Sequence, residues 1–159
     1  MPSDFILVLD GIKGESTDKK LEGNIDISSF SWGLSNAGTH AVGTGGGKAK
    51  ASFQDIHFTA PTSKASPNLA QACANGKHIK KAVLHVRKAG EQQQEYYTLT
   101  LEDLLVSSYQ SGDSSGGGDA TDQFALNFAK VKYEYCSQKK DGTLDPPVTM
   151  TWDLQKNSV

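Results

Sequence analysis

FALNFAKVKYEY, residues 124–135, carries two alternating apolar patterns in succession. Phe124, Leu126 and Phe128 share one parity; Val131, Tyr133 and Tyr135 share the other. Successive strand residues point to opposite faces, so the run reads as one strand whose pleat shifts in mid-course. IDISSFSWGL (25–34) behaves alike, from Ile25 and Ile27 to Phe30, Trp32 and Leu34. Its shift at Ser28–Ser29 signals a bulge, or a strand passing from one packing environment to another. FQDIHF (53–58) changes parity between Phe53 and the pair Ile56 and Phe58. Such shifts predict bent strands, as in a small barrel or a strongly coiled sandwich.

The rest of the chain supports a mostly β reading. DFILVLDG (4–11) is a first strand, apolar on both faces. KAVLHVRKAG (81–90) puts Ala82, Leu84 and Val86 on one face and pairs with YYTLTLEDLLVSSY (96–109) through a hairpin at Ala89–Gln93. VTMTWDLQ (148–155) alternates cleanly, with Val148, Met150, Trp152 and Leu154 one way and Thr149, Thr151, Asp153 and Gln155 the other. One short helix, SPNLAQACANGK (66–77), has Ser66 as expected N-cap, Pro67 in its first turn and Gly76 as stop. Leu69, Ala72 and Cys73 form its expected buried stripe. Two polar stretches, 35–50 and 110–122, are expected loops.

The 159 residues fit one domain spanning 1–159, with a core of ordinary size. A net charge of −2 lacks the basic excess of a general nucleic-acid binder. No run of eighteen apolar residues is present, so membrane insertion by a helix is not expected. The N-terminus, MPSDFILVLDGIKGES, lacks the basic region and cleavage site of a secretory signal, which points to folding in the cytoplasm. Cys73 and Cys136 match no zinc spacing and read as two reduced thiols.

The candidates for catalysis and cofactor binding fail on spacing. In GTHAVGTGGGKAK (38–50) glycines precede Lys48, but Val42 stands at the first glycine of a phosphate loop and Ala49 at its hydroxyl. The strand that follows offers no helix N-terminus to an anion. GDSSG (112–116) matches a nucleophile elbow around Ser114, yet no histidine follows it. His57, Asp103 and Ser114 supply the trypsin-like order, within a glycine-rich run that reads as mobile. Asp55 and His57 share a strand face and read as a surface polar pair. Glu102 and Asp103 are adjacent, so they are expected on opposite faces. No enzyme activity, cofactor or metal is expected.

Six segments resemble the Hcp family, the haemolysin-coregulated tube proteins of bacterial type VI secretion. They are GIKGES (11–16), IDISSFSWG (25–33), PNLAQACANGKH (67–78), LHVRKAG (84–90), TLTLEDLLVSS (98–108) and LNFAKVKYEY (126–135). The resemblance implies a compact antiparallel β-barrel of two sheets with one flanking helix, similar to phage tail-tube proteins. It implies a homo-hexameric ring, rings stacked into a tube, a contractile sheath outside, a spike protein on top and small effectors within. It also implies assembly in the cytoplasm followed by secretion without a signal peptide. Within that frame Ser29 and Ser31, opposite Phe30 and Trp32, are expected to face the lumen and its effectors; an ordinary solvent face is the alternative. Thr39, His40, Ala41, Val42, Gly43, Thr44, Gly45, Gly46, Gly47 and Lys48 form the expected arm to a neighbouring subunit or ring. A secreted stand-alone binding protein acting on target cells is the alternative function.

Overall fold

The computed structural model describes residues 3–36, 50–88 and 93–159. Among them the strands are β1 (Ser3–Leu9), β2 (Ile25–Ile27), β3 (Ser29–Ser31), β4 (Leu34–Asn36), β5 (Ala51–Phe53), β6 (Ile56–Pro61), β7 (Ile79–Lys88), β8 (Glu95–Gly112), β9 (Thr121–Tyr135) and β10 (Val148–Asp153). The helix is α1 (Ser66–Asn75). The main sheet runs β2-β1-β7-β8-β9-β6-β3, with β10 added to β9; β4 and β5 form a small second sheet. The pairings are antiparallel.

The two ends of this path are halves of one segment. β2 pairs with β1, β3 pairs with β6, and the break between them is Ser28, whose N–H donates to Thr59 O at 2.7 Å. The parity shift at Ser28–Ser29 is thus the place where the chain passes from one edge of the sheet to the other. That passage nearly closes the sheet into a barrel. The shift in FQDIHF marks an exit: Phe53 ends β5 in the small sheet, and Ile56 begins β6 in the large one.

β8 and β9 bend together. On β8 the buried residues are Leu99 and Leu101, then Leu104 and Val106; on β9 Val131 lies opposite Leu101 and Phe128 opposite Leu104. Asp103 adopts φ +52°, an uncommon conformation for a residue with a side chain. The pleat inverts there, and Glu102 and Asp103 are both solvent-exposed. The expected placement of these carboxylates on opposite faces is therefore wrong, because alternation holds only while the backbone stays extended. A second irregularity, at Ser107, shifts the register between Val106 and Ser108.

The interior is aliphatic around one stacked pair, Phe58 and Phe124, with ring centroids 5.1 Å apart. Each such buried ring or branched side chain contributes about 1.5–3 kcal/mol relative to exposure. Beyond the bend the filling becomes aromatic. Phe30 meets Phe5 edge-on at 5.3 Å, Trp32 meets Tyr133 edge-on at 5.4 Å, and Trp32 Nε1–H donates to Tyr97 Oη at 2.7 Å.

Two appendages are fastened to the barrel by buried carboxylate chemistry. The 11–24 segment is held by Asp18, whose carboxylate accepts two hydrogen bonds from the buried Arg87 guanidinium, at 3.2 and 2.5 Å. Gly14 packs so closely there that a Cβ would lie 2.6 Å from Asn24 O. Helix α1 is held by Asp122, buried on β9, which accepts from Thr62 Oγ1 (3.0 Å), Tyr109 Oη (2.9 Å) and Ser66 Oγ.

This last contact revises the helix start. Ala65 is the N-cap, without a side-chain cap, and Ser66 is already helical. The Ser66 hydroxyl serves Asp122 instead and accepts the Ser63 N–H at 3.0 Å. Leu69 and Ala72 are buried as expected, Cys73 is half-buried, and Gly76 ends the helix in the left-handed region, φ +63°.

The expected loop at 110–122 is also shorter. Gln110 pairs with Gln123, Ser111 with Asp122 and Gly112 with Thr121, so the connection spans 113–120. Ladder pairing overrides the serine and glycine content of this stretch. The β7–β8 hairpin forms as expected, with Lys88 N–H donating to Gln94 O at 3.0 Å; residues 89–92 lie outside the described residues.

Candidate assembly and cargo surface

Ser29 and Ser31 are exposed on the outer side of β3, and Phe30 between them packs inward against Phe5 and Tyr97. Cross-strand partners share a face, so the register extends the serines into rows. One row is Ser29, Thr59, Gln123 and Gln110; the next is Ser31, His57, Ala125 and Ser108. At the margin Asp55 accepts hydrogen bonds from Ser107 Oγ (2.7 Å) and Asn127 Nδ2 (2.8 Å). Asp55 and His57 are both solvent-accessible polar groups, and Asp55 makes its contacts across neighbouring strands.

Beyond the bend the same two strands carry charge on their outer side. There the rows are Thr98, Glu134 and Thr149; Thr100, Lys132 and Thr151; and Glu102, Lys130 and Asp153. Lys132 Nζ lies 3.6 Å from the Glu134 carboxylate. Thr149 and Thr151 are exposed, but Asp153 is buried and caps the following turn by accepting the Gln155 and Lys156 N–H groups at 3.0 and 3.1 Å. The expected polar face of β10 therefore ends at Thr151.

Apolar groups also reach solvent. Val148 is 75% exposed, Leu34 48% and Tyr135 45%. Val148 and Tyr135 are direct partners on β10 and β9. Leu34 begins β4, next to the start of the arm; Thr39 through Lys48 lie outside the described residues.

Two acid–base features mark the aromatic end. Burial pushes the Tyr97 phenol up to about 12, although the Trp32 donor works the other way. Burial disfavours ionised Glu95, but hydrogen bonds from His85 and Thr98, each 2.6 Å, prevail and lower its pKa.

The trypsin-like order of His57, Asp103 and Ser114 is not assembled. Asp103 lies 3.3 Å from His78 rather than beside His57. Ser114 sits in an exposed turn, where its carbonyl accepts the Gly117 N–H at 3.0 Å and its N–H donates to the Asp113 side chain at 2.8 Å. Cys73 and Cys136 are free, half-buried thiols. Among the described residues no cluster of three or more His, Cys, Asp or Glu side chains is arranged to hold a metal ion. Among the same residues no helix is long and apolar enough to cross a membrane.

The sequence pattern does not single out Gln110 or Gln123, because Gln110 falls inside the expected loop at 110–122 and Gln123 just past it. The informative signal is Asp122, an acid on the same parity as Phe124, Leu126 and Phe128, flanked by outward Thr121 and Gln123. A carboxylate at an inward position requires donors from neighbouring elements, and so marks a paired strand rather than a loop.

Residues 6–135 match the family described as type VI secretion system effector, Hcp. The chain belongs to the Hcp family. This family member is 43% identical to Protein hcp1 of Pseudomonas aeruginosa over 159 residues, covering 99% of the chain and 98% of that relative. Among solved structures it superimposes on a type six secretion system protein with a TM-score of 0.92, at 27% identity and 99% coverage of both chains. Hcp1 from Salmonella typhimurium gives a TM-score of 0.82 at 34% identity, again with 99% coverage of both. The bent strands expected from the parity shifts and the helix expected at 66–77 are both present, in the mostly β, barrel-like architecture that the resemblance implied.

Proposed function

We propose that this chain is a non-enzymatic structural subunit of the type VI secretion inner tube. Six copies close into a ring, rings stack, and exported effectors travel inside. The observation that carries this reading is Hcp family membership along 6–135 of the chain. Two features of the surface support it. The uncharged outer face containing Ser29 and Ser31 suits a lumen that holds varied proteins without trapping them. The exposed apolar groups Val148, Tyr135 and Leu34 suit contacts between copies. A ring needs a heterologous interface that closes, and a tube needs a second that remains open. The arm at 39–48 is assigned to a neighbouring subunit or ring. The spike, the sheath and effectors are the other partners, and the single domain 1–159 folds in the cytoplasm before export.

Native mass spectrometry and negative-stain imaging of the purified chain test the reading. Rings with a central hole are expected. A strictly monomeric species at micromolar concentration would favour the stand-alone binding protein instead. Ser31→Glu should keep the ring and release cargo; a collapsed ring would move Ser31 to a subunit interface. Deleting residues 43–47 should weaken assembly while leaving the barrel folded, as read by circular dichroism and sizing.

A further inference from the structure

The outer face holds an open cleft of about 200 Å³, lined by His57, Thr59, Ser108, Gln110 and Gln123 together with Phe58 and Phe124. The row that crosses it, Ser29–Thr59–Gln123–Gln110, is four strands wide, roughly 14 Å at the usual strand spacing. The carboxamides of Gln110 and Gln123 stand side by side as cross-strand partners. Among the described residues these two amides and the Thr59 hydroxyl are engaged by no other group of the chain. No lysine, arginine, aspartate or glutamate lines the cleft. Asp55, at the margin, is already held by Ser107 and Asn127.

This chemistry selects its partner by exclusion. A charged segment would lose hydration against a wall without a counter-charge. An apolar segment would cover amides that need hydrogen-bond partners. An extended polypeptide with uncharged polar side chains satisfies both conditions, because its backbone and its hydroxyl or amide groups supply donors and acceptors at strand spacing. We infer that this cleft is a docking site for extended, uncharged polar segments of exported proteins. The inference rests on the carrier reading and adds the chemical class of what is carried. Recognition of this kind reads a composition rather than one sequence, so unrelated proteins that share such a segment use the same site. It also contains no ion pair, so it tolerates salt.

The test uses the full-length protein and blocked twelve-residue probe peptides of serine, threonine, asparagine and glutamine. Matched probes carry glutamates or lysines at alternate positions. Fluorescence anisotropy at about 0.05 M and about 0.5 M salt reads the binding. The neutral probe should bind with the same Kd at both salts and at least about tenfold tighter than either charged probe. Gln123→Lys should weaken the neutral probe by about tenfold or more, whereas Thr151→Lys, on the charged half, should leave it unchanged. Tighter binding of a charged probe, loss of binding in high salt, or equal Kd for Gln123→Lys and the parent overturns the docking site. Rings that retain an exported protein but bind no probe overturn the docking site and leave the carrier reading intact. Rings that retain no exported protein from donor cells overturn the carrier reading, and the docking site with it.

Discussion

Along β8 and β9, the half nearest the 113–120 turn and the half beyond Glu102 share a backbone ladder and one core, yet their surfaces differ. The first half shows Ser108, Gln110, Thr121 and Gln123 outward and keeps its carboxylate, Asp122, inside. The second shows Glu102, Lys130, Lys132 and Glu134 outward and keeps phenols, Tyr97 and Tyr133, on the inner side. Charge is therefore displaced from the outer to the inner layer in one half only. An interior carboxylate is costly, and Asp122 is tolerated because Thr62, Ser66 and Tyr109 all donate to it. An uncharged outer face is thus compatible with a buried carboxylate inside an otherwise aliphatic core when a helix, a strand and the connection between β6 and α1 supply the donors.

The largest effect should come from the inner layer of the neutral half. Asp122→Ala leaves three hydroxyls without their acceptor and should lower stability by about 3–5 kcal/mol in equilibrium denaturation. Asp122→Asn keeps an acceptor and should cost less. A loss below about 1 kcal/mol for the alanine variant would show that α1 is anchored elsewhere.

At the boundary between the halves, Asp103→Val should destabilise by about 1–2 kcal/mol, because a β-branched residue resists the left-handed conformation. Asp103→Gly should be neutral or stabilising by up to about 1 kcal/mol. Thermal unfolding of the pair checks this; equal effects would mean the bend does not depend on that φ.

In the charged half, alkaline pH should act first through Tyr97. Its phenol is raised from 10.0 to about 12, so the folded state holds the proton longer than the unfolded chain. The associated stability is complete below pH 10 and declines as pH rises from 10 toward 12. Phenolate absorbance should show the Tyr97 phenol ionising above the ordinary tyrosine range, together with a change in Trp32 fluorescence. Ionisation of all five tyrosines near pH 10 would contradict the packing around Tyr97.

The smallest effect belongs to the exposed ion pair. Lys132→Ala should change stability by no more than about 0.5 kcal/mol, an amount that shrinks with salt. A larger loss would mean that Lys132 contributes through packing of its stem, and the contrast between the halves would then concern shape as well as charge.

Barrel class and bends were legible because parity records the face of each residue, and a shift cannot be hidden by composition. The shift at Ser28–Ser29 located the closure, and the shift between Phe128 and Val131 located the bend. Three features escaped for related reasons. Ser66 carries the signature of a cap, but a buried carboxylate distant in sequence claims its hydroxyl. Gln110–Gly112 look like a loop because propensity is local, whereas their partners on β9 are not. Glu102 and Asp103 broke the alternation rule because one residue left the extended region. Of the surface, the outward direction of Ser29 and Ser31 was readable from strand parity. Their continuation into Thr59, Gln123 and Gln110 required the register of three pairings that no single strand contains.

The segment 25–31 also ties one surface to both edges of the sheet. Its first part needs β1 and its second part needs β6, so both edges of the sheet must exist before it can settle. Its own pairings span fewer residues, Phe5 with Ile27 and Ser29 with Thr59, than those that hold the two edges in the sheet, Ile6 with His85 and His57 with Ala125. Ser29 and Ser31 lie on the second part, so the face proposed for cargo depends on the same short segment that joins the two edges. A chain in which the two edges have not met therefore lacks the continuous row from Ser29 to Gln110, and closing the barrel is what completes that surface.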